Sequence, residues 1–567
     1  MRFTGTPFGA TATLLSLTAG VALAQNSSPS LPVVDLGYQL QQASEFNETG
    51  AYYNFSNIRY AAPPVGDLRF RPPTSPATNR SSVQDGSELR ICPQANPAWL
   101  AIAAEFIPQY LISGKLPNVS TTEPTVAENV TIGPSESEDC LFLDVIVPEK
   151  VFKRAGKGYG APVLVWIYGG GYTTGSKIAS GDPLGLIARS QTGSSDGVIY
   201  VAMNYRLGAF GWLSGPTYQE DGTANLGLHD QRFALEWIQN NIHLFGGDKN
   251  RVTVFGESAG GGSIMHQITA FGGSAPSLFQ QAIPQSPAWL PLASPYEQEQ
   301  SFQSYLKELN VTSLAEARNL SSEELMTANI RTVGAAPYST FVFGPTVDGE
   351  IVPQDPKYLL SHGQFDKSVR LLVGHNTDEG LIFTPPLTNE SEFTTYLQSS
   401  MPNARPSIIS HITETMYPPV YDGSHGYRDL IGRATLALSE FAFTCNNFAL
   451  GNAFPDVMHA YVFGVSPGIH GQDVPYTYYN PDTPQTDGGS SLAFAGAANE
   501  TVAFVLQDYI TSFATHGIPE SAVDGLSEFP VYGKEAVAVS LTGSGINVTK
   551  DEVANERCRW WQLGLYN

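Results

Sequence analysis

The sequence predicts an α/β fold, in which a mostly parallel central sheet is covered by helices on both faces and carries long helical and loop insertions. Short apolar runs that are typical of buried strands alternate with longer stretches of helical periodicity. This alternation indicates a parallel sheet, because parallel strands need crossover connections that cover both faces. The apolar runs are residues 163–168, 198–203, 252–255, 370–373 and 458–463.

Composition and charge narrow the class of protein. The chain has 567 residues, with 30 Lys plus Arg against 53 Asp plus Glu and a formal net charge of −23 at pH 7. This charge repels phosphate backbones and anionic membrane surfaces, so we expect no nucleic-acid partner. Hydrophobic residues make up 42% and charged residues 15% of the chain, which excludes collagen-like, coiled-coil and wholly disordered proteins.

The N-terminal segment 1–24 has the pattern of a secretory signal peptide. Arg2 is followed by an apolar stretch at 10–24, and Ala22 and Ala24 precede Gln25. No apolar run of about 18 residues occurs here or elsewhere, so we expect no stable membrane insertion. No Pro/Gly/Ser-rich linker, repeat or charge run divides the rest, and residues 25–567 are therefore expected to form a single domain of a secreted protein.

Asn-x-Ser/Thr sequons, the acceptors of N-linked glycans, are abundant, which fits an exported glycoprotein. They begin at Asn26, Asn47, Asn54, Asn79, Asn118, Asn129, Asn310, Asn319, Asn389, Asn499 and Asn547. The sequence leaves open which sequons are used, the oligomeric state, and whether export ends outside the cell, in the wall or in a vacuole.

The four cysteines are Cys92, Cys140, Cys445 and Cys558. They lack the C-x-x-C spacing of a zinc site, and in an exported chain an even number of cysteines predicts disulfides. Four cysteines allow three pairings, which the residues alone do not distinguish.

The strongest chemical motif is Gly256-Glu257-Ser258-Ala259-Gly260, which directly follows the buried run at 252–255 and precedes a helical pattern. A G-x-S-x-G turn between a strand and a helix exposes its serine for nucleophilic attack. The glycines allow the sharp turn, and the N–H groups at the start of the following helix stabilise negative charge. Ser258 is therefore the candidate nucleophile.

A glycine-rich loop, Gly169-Gly170-Gly171, follows the buried run at 163–168. Without side chains, its main-chain N–H groups can point at an oxyanion. A phosphate-binding loop is the alternative, but that motif needs Lys followed by Ser or Thr after its second glycine, and here Ser176 precedes Lys177.

A serine nucleophile needs a base and an acid, which in this arrangement follow it in the chain as Asp or Glu and then His. His470 is the best base, because it lies in a loop shortly after the run at 458–463. Asp378 and Glu379 follow the run at 370–373, and Asp348 is a rival acid. The residues alone do not separate these three carboxylates.

Several motifs together resemble the type B carboxylesterase/lipase family, which includes cholinesterases and fungal lipases. The resemblance covers nearly the whole chain after residue 24. It rests on segments 58–70, 137–141, 168–172, 204–206, 225–248, 256–260, 378–380 and 470–471.

The resemblance implies an α/β-hydrolase fold and a fungal-type secreted carboxylesterase that needs no metal or organic cofactor. It implies Glu379 as the acid and His470 as the base, because they match the Asp-Glu-Gly and His-Gly motifs of the family. It further implies an oxyanion hole from the N–H groups of Gly170, Gly171 and Ala259. The implied disulfides are Cys92 with Cys140 and Cys445 with Cys558.

The expected reaction is hydrolysis of a small or aromatic carboxylic ester through an acyl-enzyme. A triacylglycerol lipase, an acyltransferase of secondary metabolism and a non-catalytic binding protein remain as alternatives. The lipase alternative depends on residues 97–112, where a lipase of the family carries a mobile lid. The segment is apolar at roughly helical spacing, and we expect a fixed helix that Pro108 interrupts.

Overall fold

The computed structural model describes residues 31–115, 130–193, 195–288, 293–482 and 498–566, together with Met1 and Gly5. Most of the predicted signal peptide lies outside these residues, as do Asn26, Asn118 and Asn129. The strands in the described residues, numbered β1 to β14, are Val33–Asp35, Gln39–Gln42, Glu45–Asn47, Tyr52–Arg59, Asn79–Gln84, Phe142–Pro148, Ala161–Ile167, Ile199–Met203, Gly247–Glu257, Gln281–Gln285, Arg370–Asn376, Met458–Phe463, Val537–Thr542 and Gly545–Lys550.

The α-helices of the same residues are numbered α1 to α17. They are Trp99–Ser113, Glu149–Phe152, Leu184–Ser190, Gly208–Trp212, Leu226–Asn241, Ala259–Thr269, Pro295–Glu308, Leu314–Ala317, Ser322–Gly334, Pro356–Ser361, Glu390–Ser400, Pro406–Ser410, Leu430–Ser439, Cys445–Ala453, Val474–Thr477, Glu500–His516 and Glu556–Trp561. Two π-helical turns, His411–Met416 and Glu440–Thr444, continue α12 and α13. Short 3₁₀ turns occur at Gly66–Leu68, Tyr218–Glu220, Ile242–Phe245, Ala270–Gly273 and Glu379–Phe383.

Within the described residues, eleven strands form one sheet in the order β14-β13-β12-β11-β10-β9-β7-β8-β6-β4-β3, and β1, β2 and β5 form a second, small sheet. The central pairings from β8 through β13 are parallel. The outer pairings on both sides are antiparallel. The predicted fold class is confirmed, and all five buried runs fall on strands of the large sheet.

Burial explains why the predicted runs were so uniformly apolar. Every residue of β8 is buried, as are all but the first residues of β7 and β11. Parallel strands covered on both faces have no polar side, so alternation disappears from their sequence. The carboxyl ends of the parallel strands then form one polar edge, where ligand sites of such sheets lie.

Helix α1 corrects the expectation that Pro108 interrupts the helical segment. The helix is continuous from Trp99 to Ser113 with Pro108 inside it. Pro108 cannot donate a bond to the carbonyl of Ala104, but Ala104 lies on the exposed face of the helix, where water can replace that donor. The buried face of α1 then decides the structure, because it packs Trp99, Ala103, Phe106 and Ile107 into the protein.

Two disulfides are present, joining Cys92 to Cys140 and Cys445 to Cys558. This is the pairing that the family resemblance implies. Of the sequons within the described residues, Asn79, Asn310, Asn319, Asn389 and Asn547 are exposed, whereas Asn47, Asn54 and Asn499 are half-buried. None of the helices in the described part of the chain has both the length and the apolar character that crossing a bilayer requires.

Candidate active site

Ser258 lies in a strained turn between β9 and α6. Its backbone has φ 57° and ψ −122°, a conformation that costs energy for a residue with a side chain. Gly256 and Gly260 make the turn possible, because a Cβ at either position would come within 2.4 Å or 2.0 Å of the carbonyl oxygen of Ile167. The G-x-S-x-G spacing therefore follows from the close approach of β7 and the turn.

His470 follows β12 and faces Ser258. Its Nε2 lies 2.8 Å from Oγ of Ser258. The ring of Phe443 packs against the imidazole with centroids 4.3 Å apart, and the ring of Phe383 lies 5.3 Å away. These contacts leave the side chain of His470 only 8% exposed, so the orientation of the imidazole is fixed from both sides.

Glu379 follows β11 and completes the chain of contacts. Its Oε2 lies 2.5 Å from Nδ1 of His470, and its Oε1 accepts hydrogen bonds from the Ser286 hydroxyl and the backbone N–H of Asn376, each at 2.6 Å. Burial alone would raise the pKa of Glu379, but the imidazole and these donors hold it below its ordinary value. Glu379 is therefore suited to remain ionised and to fix the tautomer of His470.

The other two predicted carboxylates serve elsewhere. Asp348 accepts hydrogen bonds from the Asn225 side chain at 2.7 Å and from the N–H groups of Glu350 and Val352. Asp378 has an exposed side chain, and its N–H donates to the carbonyl of Gly468. Of the three candidates, Glu379 is the one that the structure brings to His470.

Strand order explains how residues far apart in sequence meet. Strands β9, β10, β11 and β12 are consecutive neighbours in the sheet. Ser258 directly follows β9 and Ser286 directly follows β10, while Glu379 and His470 come after β11 and β12. The four side chains therefore converge at one edge of the sheet.

Sequence reasoning missed four residues that surround the triad. Glu257 places Oε1 3.3 Å from Nε2 of His470. Ser286 and Asn376 donate to Glu379, and the Asn376 side chain also reaches the buried carboxylate of Asp473 at 3.4 Å. The position of Asp473 three residues after His470 was a usable signal, whereas the role of Ser286 depends on the pairing of β10 with β11, which no local pattern shows.

Two carboxylates determine the proton affinity of the imidazole. Burial opposes protonation of His470, but the carboxylates of Glu257 and Glu379 outweigh it and raise the pKa of His470 above its ordinary value. Burial also raises the pKa of Glu257, with the charges of Asp473 and Glu379 adding to the effect. The charge of the His470 imidazolium acts against this rise, so the interaction between Glu257 and His470 favours a proton on the imidazole.

The predicted oxyanion loop follows β7, beside the turn that carries Ser258. Gly170 and Gly171 both have positive φ, at 102° and 62°. Among the described residues, no oxygen accepts a hydrogen bond from the N–H of Gly170 or Gly171. Ala259 is the first residue of α6, so its N–H has no acceptor within the helix. All three donors are free to bind an oxyanion.

A cavity of about 390 Å³ opens at Ser258, a volume typical of sites for small molecules. Its lining is dominated by aromatic and other apolar side chains, among them Tyr172, Trp212, Phe341, Phe383, Phe441 and Phe443. The cavity suits a compact apolar ligand whose reacting atom lies near Ser258.

The arrangement of Ser258, His470 and Glu379 on this fold is typical of an ester hydrolase, and comparisons with known proteins agree. The sequence profile of the carboxylesterase family matches residues 40–561. The chain belongs to the carboxylesterase family and is a hydrolase that acts on carboxylic esters.

Individual relatives are consistent with this assignment. The chain is 42% identical over 550 residues to carboxylesterase patB of Penicillium expansum, covering 94% of this chain and 96% of that protein. It is 32% identical over 351 residues to a secreted lipase of Arthroderma benhamiae, covering 61% of this chain and 66% of that protein. The crystal structure of Aspergillus niger EstA has the same fold, with a TM-score of 0.76 at 24% identity over 94% of this chain and 98% of that one.

Proposed function

We propose that this ester hydrolase works through an acyl-enzyme, with Ser258 as nucleophile, His470 as base and Glu379 as the acid that orients it. The observation that carries the proposal is the position of the His470 imidazole, 2.8 Å from Ser258 Oγ and 2.5 Å from Glu379 Oε2. These contacts match the proton path that a serine hydrolase needs.

In the first half of the reaction, Ser258 Oγ bonds to the ester carbonyl carbon while its proton passes to Nε2 of His470. The carbonyl oxygen becomes an oxyanion, which the N–H groups of Gly170, Gly171 and Ala259 stabilise. The intermediate collapses as the carbon–oxygen bond to the alcohol breaks and His470 returns the proton to the leaving alcohol. Water then attacks the acyl-enzyme with the same base, which releases the acid and restores Ser258.

The proposed substrates are compact aliphatic or aromatic esters. The aromatic lining of the cavity at Ser258 supports this class. Helix α1 supports it too, because its buried Trp99 packs against Phe341 and Phe383, both of which line that cavity. A helix packed against the residues of the cavity wall in this way argues for an esterase with a permanently formed site.

We further propose that the protein is secreted, with residues 1–24 as the signal peptide and residues 25–567 as one domain. The two disulfides support passage through an oxidising compartment. The exposed sequons at Asn79, Asn310, Asn319, Asn389 and Asn547 are available for glycans on that route.

Product analysis with a panel of p-nitrophenyl and aryl esters tests the function. We expect free acid and alcohol, and covalent labelling of Ser258 by a fluorophosphonate. Adding a small alcohol tests the acyltransferase alternative, since transfer of most of the acyl group to that alcohol in water would contradict hydrolysis as the main reaction. Failure of Ser258 to label in protein that turns over esters would contradict the proposed nucleophile.

A further inference from the structure

Tyr566 lines the cavity that opens at Ser258, although it lies in the segment that follows α17. Its side chain is almost wholly buried, with the residue 2% exposed. The residue therefore faces the substrate cavity from a part of the chain that supplies no member of the catalytic machinery.

Tyr566 is held at its ring and at its hydroxyl. The ring packs edge-on against Phe441 and Trp561, with centroids 5.2 Å away in both contacts. Nζ of Lys357, itself buried, donates a hydrogen bond to the hydroxyl at 2.9 Å and lies 3.5 Å from the carbonyl oxygen of Phe441. A phenol fixed at both ends is a rigid part of the cavity wall.

The π-helical turn Glu440–Thr444 connects Tyr566 to the reacting groups. It presents Phe443 to His470, with ring centroids 4.3 Å apart, and Phe441 to Tyr566. Both phenylalanines line the cavity. Such turns are common at functional sites because they change the direction of side chains within a helix.

The disulfide between Cys445 and Cys558 links the two segments of this cavity wall covalently. Cys445 directly follows the π-helical turn, and its partner Cys558 lies in α17, which precedes Tyr566. Two segments that are distant in sequence are therefore joined at the place where both contribute to the cavity.

We propose that Tyr566 is a specificity-determining residue, whose ring bounds the cavity on the side of Phe441 and limits the length of the substrate group that lies there. The inference rests on the proposed function of Ser258 and His470. It assigns the enzyme to short-chain or compact aromatic esters, because a longer chain on that side meets the ring of Tyr566.

Chain-length profiles of Tyr566 variants in the full-length protein test this inference. Two series are measured, p-nitrophenyl esters with acyl chains of increasing length and acetates of increasingly long alcohols, since either arm of the ester can lie against Tyr566. Tyr566→Ala removes the ring, whereas Tyr566→Phe is the matched control that keeps the ring and loses only the hydroxyl.

For each series we compare kcat/KM for the long esters with kcat/KM for the shortest ester. In at least one series, we expect Tyr566→Ala to raise this ratio by about ten-fold or more. One methylene group in an apolar pocket already gives discrimination of this size. Tyr566→Phe should keep the wild-type profile. If Tyr566→Ala does not fold, Tyr566→Leu is used instead, because it replaces the ring with a smaller apolar side chain. We expect it also to raise kcat/KM for long esters relative to short ones.

The two possible failures are distinguishable. A variant of Tyr566 that labels fully at Ser258 with a fluorophosphonate and retains the wild-type length profile in both series overturns this inference alone. Absence of labelling and of turnover in the wild-type protein would instead contradict the proposed function.

Discussion

Nε2 of His470 lies between two oxygens, 2.8 Å from Oγ of Ser258 and 3.3 Å from Oε1 of Glu257. Glu257, which directly precedes Ser258, thus places a carboxylate beside the nitrogen that accepts the proton of Ser258 in the proposed reaction. A negative charge there stabilises the imidazolium form, which arises during the reaction but is inactive as a base in the free enzyme.

Glu257→Gln tests this relationship through the pH profile. The base must be unprotonated to act, so activity rises with pH through the pKa of His470, which Glu257 and Glu379 raise. Removing one carboxylate lowers that pKa, and we expect the acid limb of kcat/KM to move to lower pH by on the order of one unit.

Asp348→Asn is the control for that experiment, because the carboxylate of Asp348 contacts Asn225, Glu350 and Val352 rather than the triad. It should leave the pH profile in place. An acid limb that stays fixed in Glu257→Gln, or that moves to higher pH, would contradict the electrostatic role of Glu257.

Ser258→Ala and His470→Ala should each reduce kcat on a p-nitrophenyl ester by several orders of magnitude, because members of a triad act as a unit. Secretion should be unchanged, and thermal stability should change little in Ser258→Ala, which removes a single hydroxyl group. Steady-state kinetics of purified protein measure the effect, and near-wild-type turnover in either variant would refute the assigned role.

Glu379→Gln should lower kcat by on the order of 10⁴, by analogy with loss of the carboxylate from other triads. The buried amide cannot stabilise the imidazolium, and it disturbs the bonds that Ser286 and Asn376 donate to the acid. Asp348→Asn and Asp378→Asn are matched changes of charge that should cost far less. A larger loss of kcat in Asp348→Asn or Asp378→Asn than in Glu379→Gln would assign the role of the acid to another residue.

The disulfides predict the outcome of peptide mapping without reduction. Cross-linked peptides should contain Cys92 with Cys140 and Cys445 with Cys558, whose sequence separations are 48 and 113 residues. Replacing both Cys445 and Cys558 with serine should lower the free energy of unfolding by about 2 to 5 kcal/mol. Recovery of a peptide that joins Cys92 to Cys445, or of free thiols in folded protein, would refute the pairing.

The turn that carries Ser258 and the fold class could be predicted from the sequence for the same physical reason. A buried strand, a sharp glycine turn and a helix follow one another within residues 247–269, so the motif at Ser258 carries its structural context with it. Glu379 and His470 lie in loops after separate strands, and their meeting depends on the order of β11 and β12 in the sheet. For this reason the residue patterns gave three candidates for the acid that contacts His470, and only the family resemblance favoured one of them.

What the sequence did not predict depends on packing between distant segments. The contact of Ser286 with Glu379 and that of Tyr566 with Phe441 each join residues from different elements. Pro108 led to the opposite error. The rule that a proline interrupts a helix does not hold there, because the apolar face of α1 packs into the protein interior. Local propensity is a weak guide wherever burial supplies more free energy than the broken backbone bond costs.

The last prediction separates esterase from lipase and depends on whether α1 is a fixed helix or a mobile lid. Trp99 is fully buried and donates from Nε1 to the carbonyl of Thr340 at 2.8 Å, and the hydroxyl of Tyr110 donates to the carboxylate of Asp429 at 3.1 Å. Exposing an aromatic side chain of this size costs about 4 to 6 kcal/mol, from roughly 150 to 250 Å² at about 25 cal/mol per Å². Helix α1 is therefore expected to stay in place, and activity on soluble esters should show no interfacial activation. The measurement is the rate of hydrolysis across the solubility limit of a triglyceride. An interfacially activated lipase in the same emulsion serves as the control. A sharp rise in rate above the limit would make the protein a lipase with α1 as its lid.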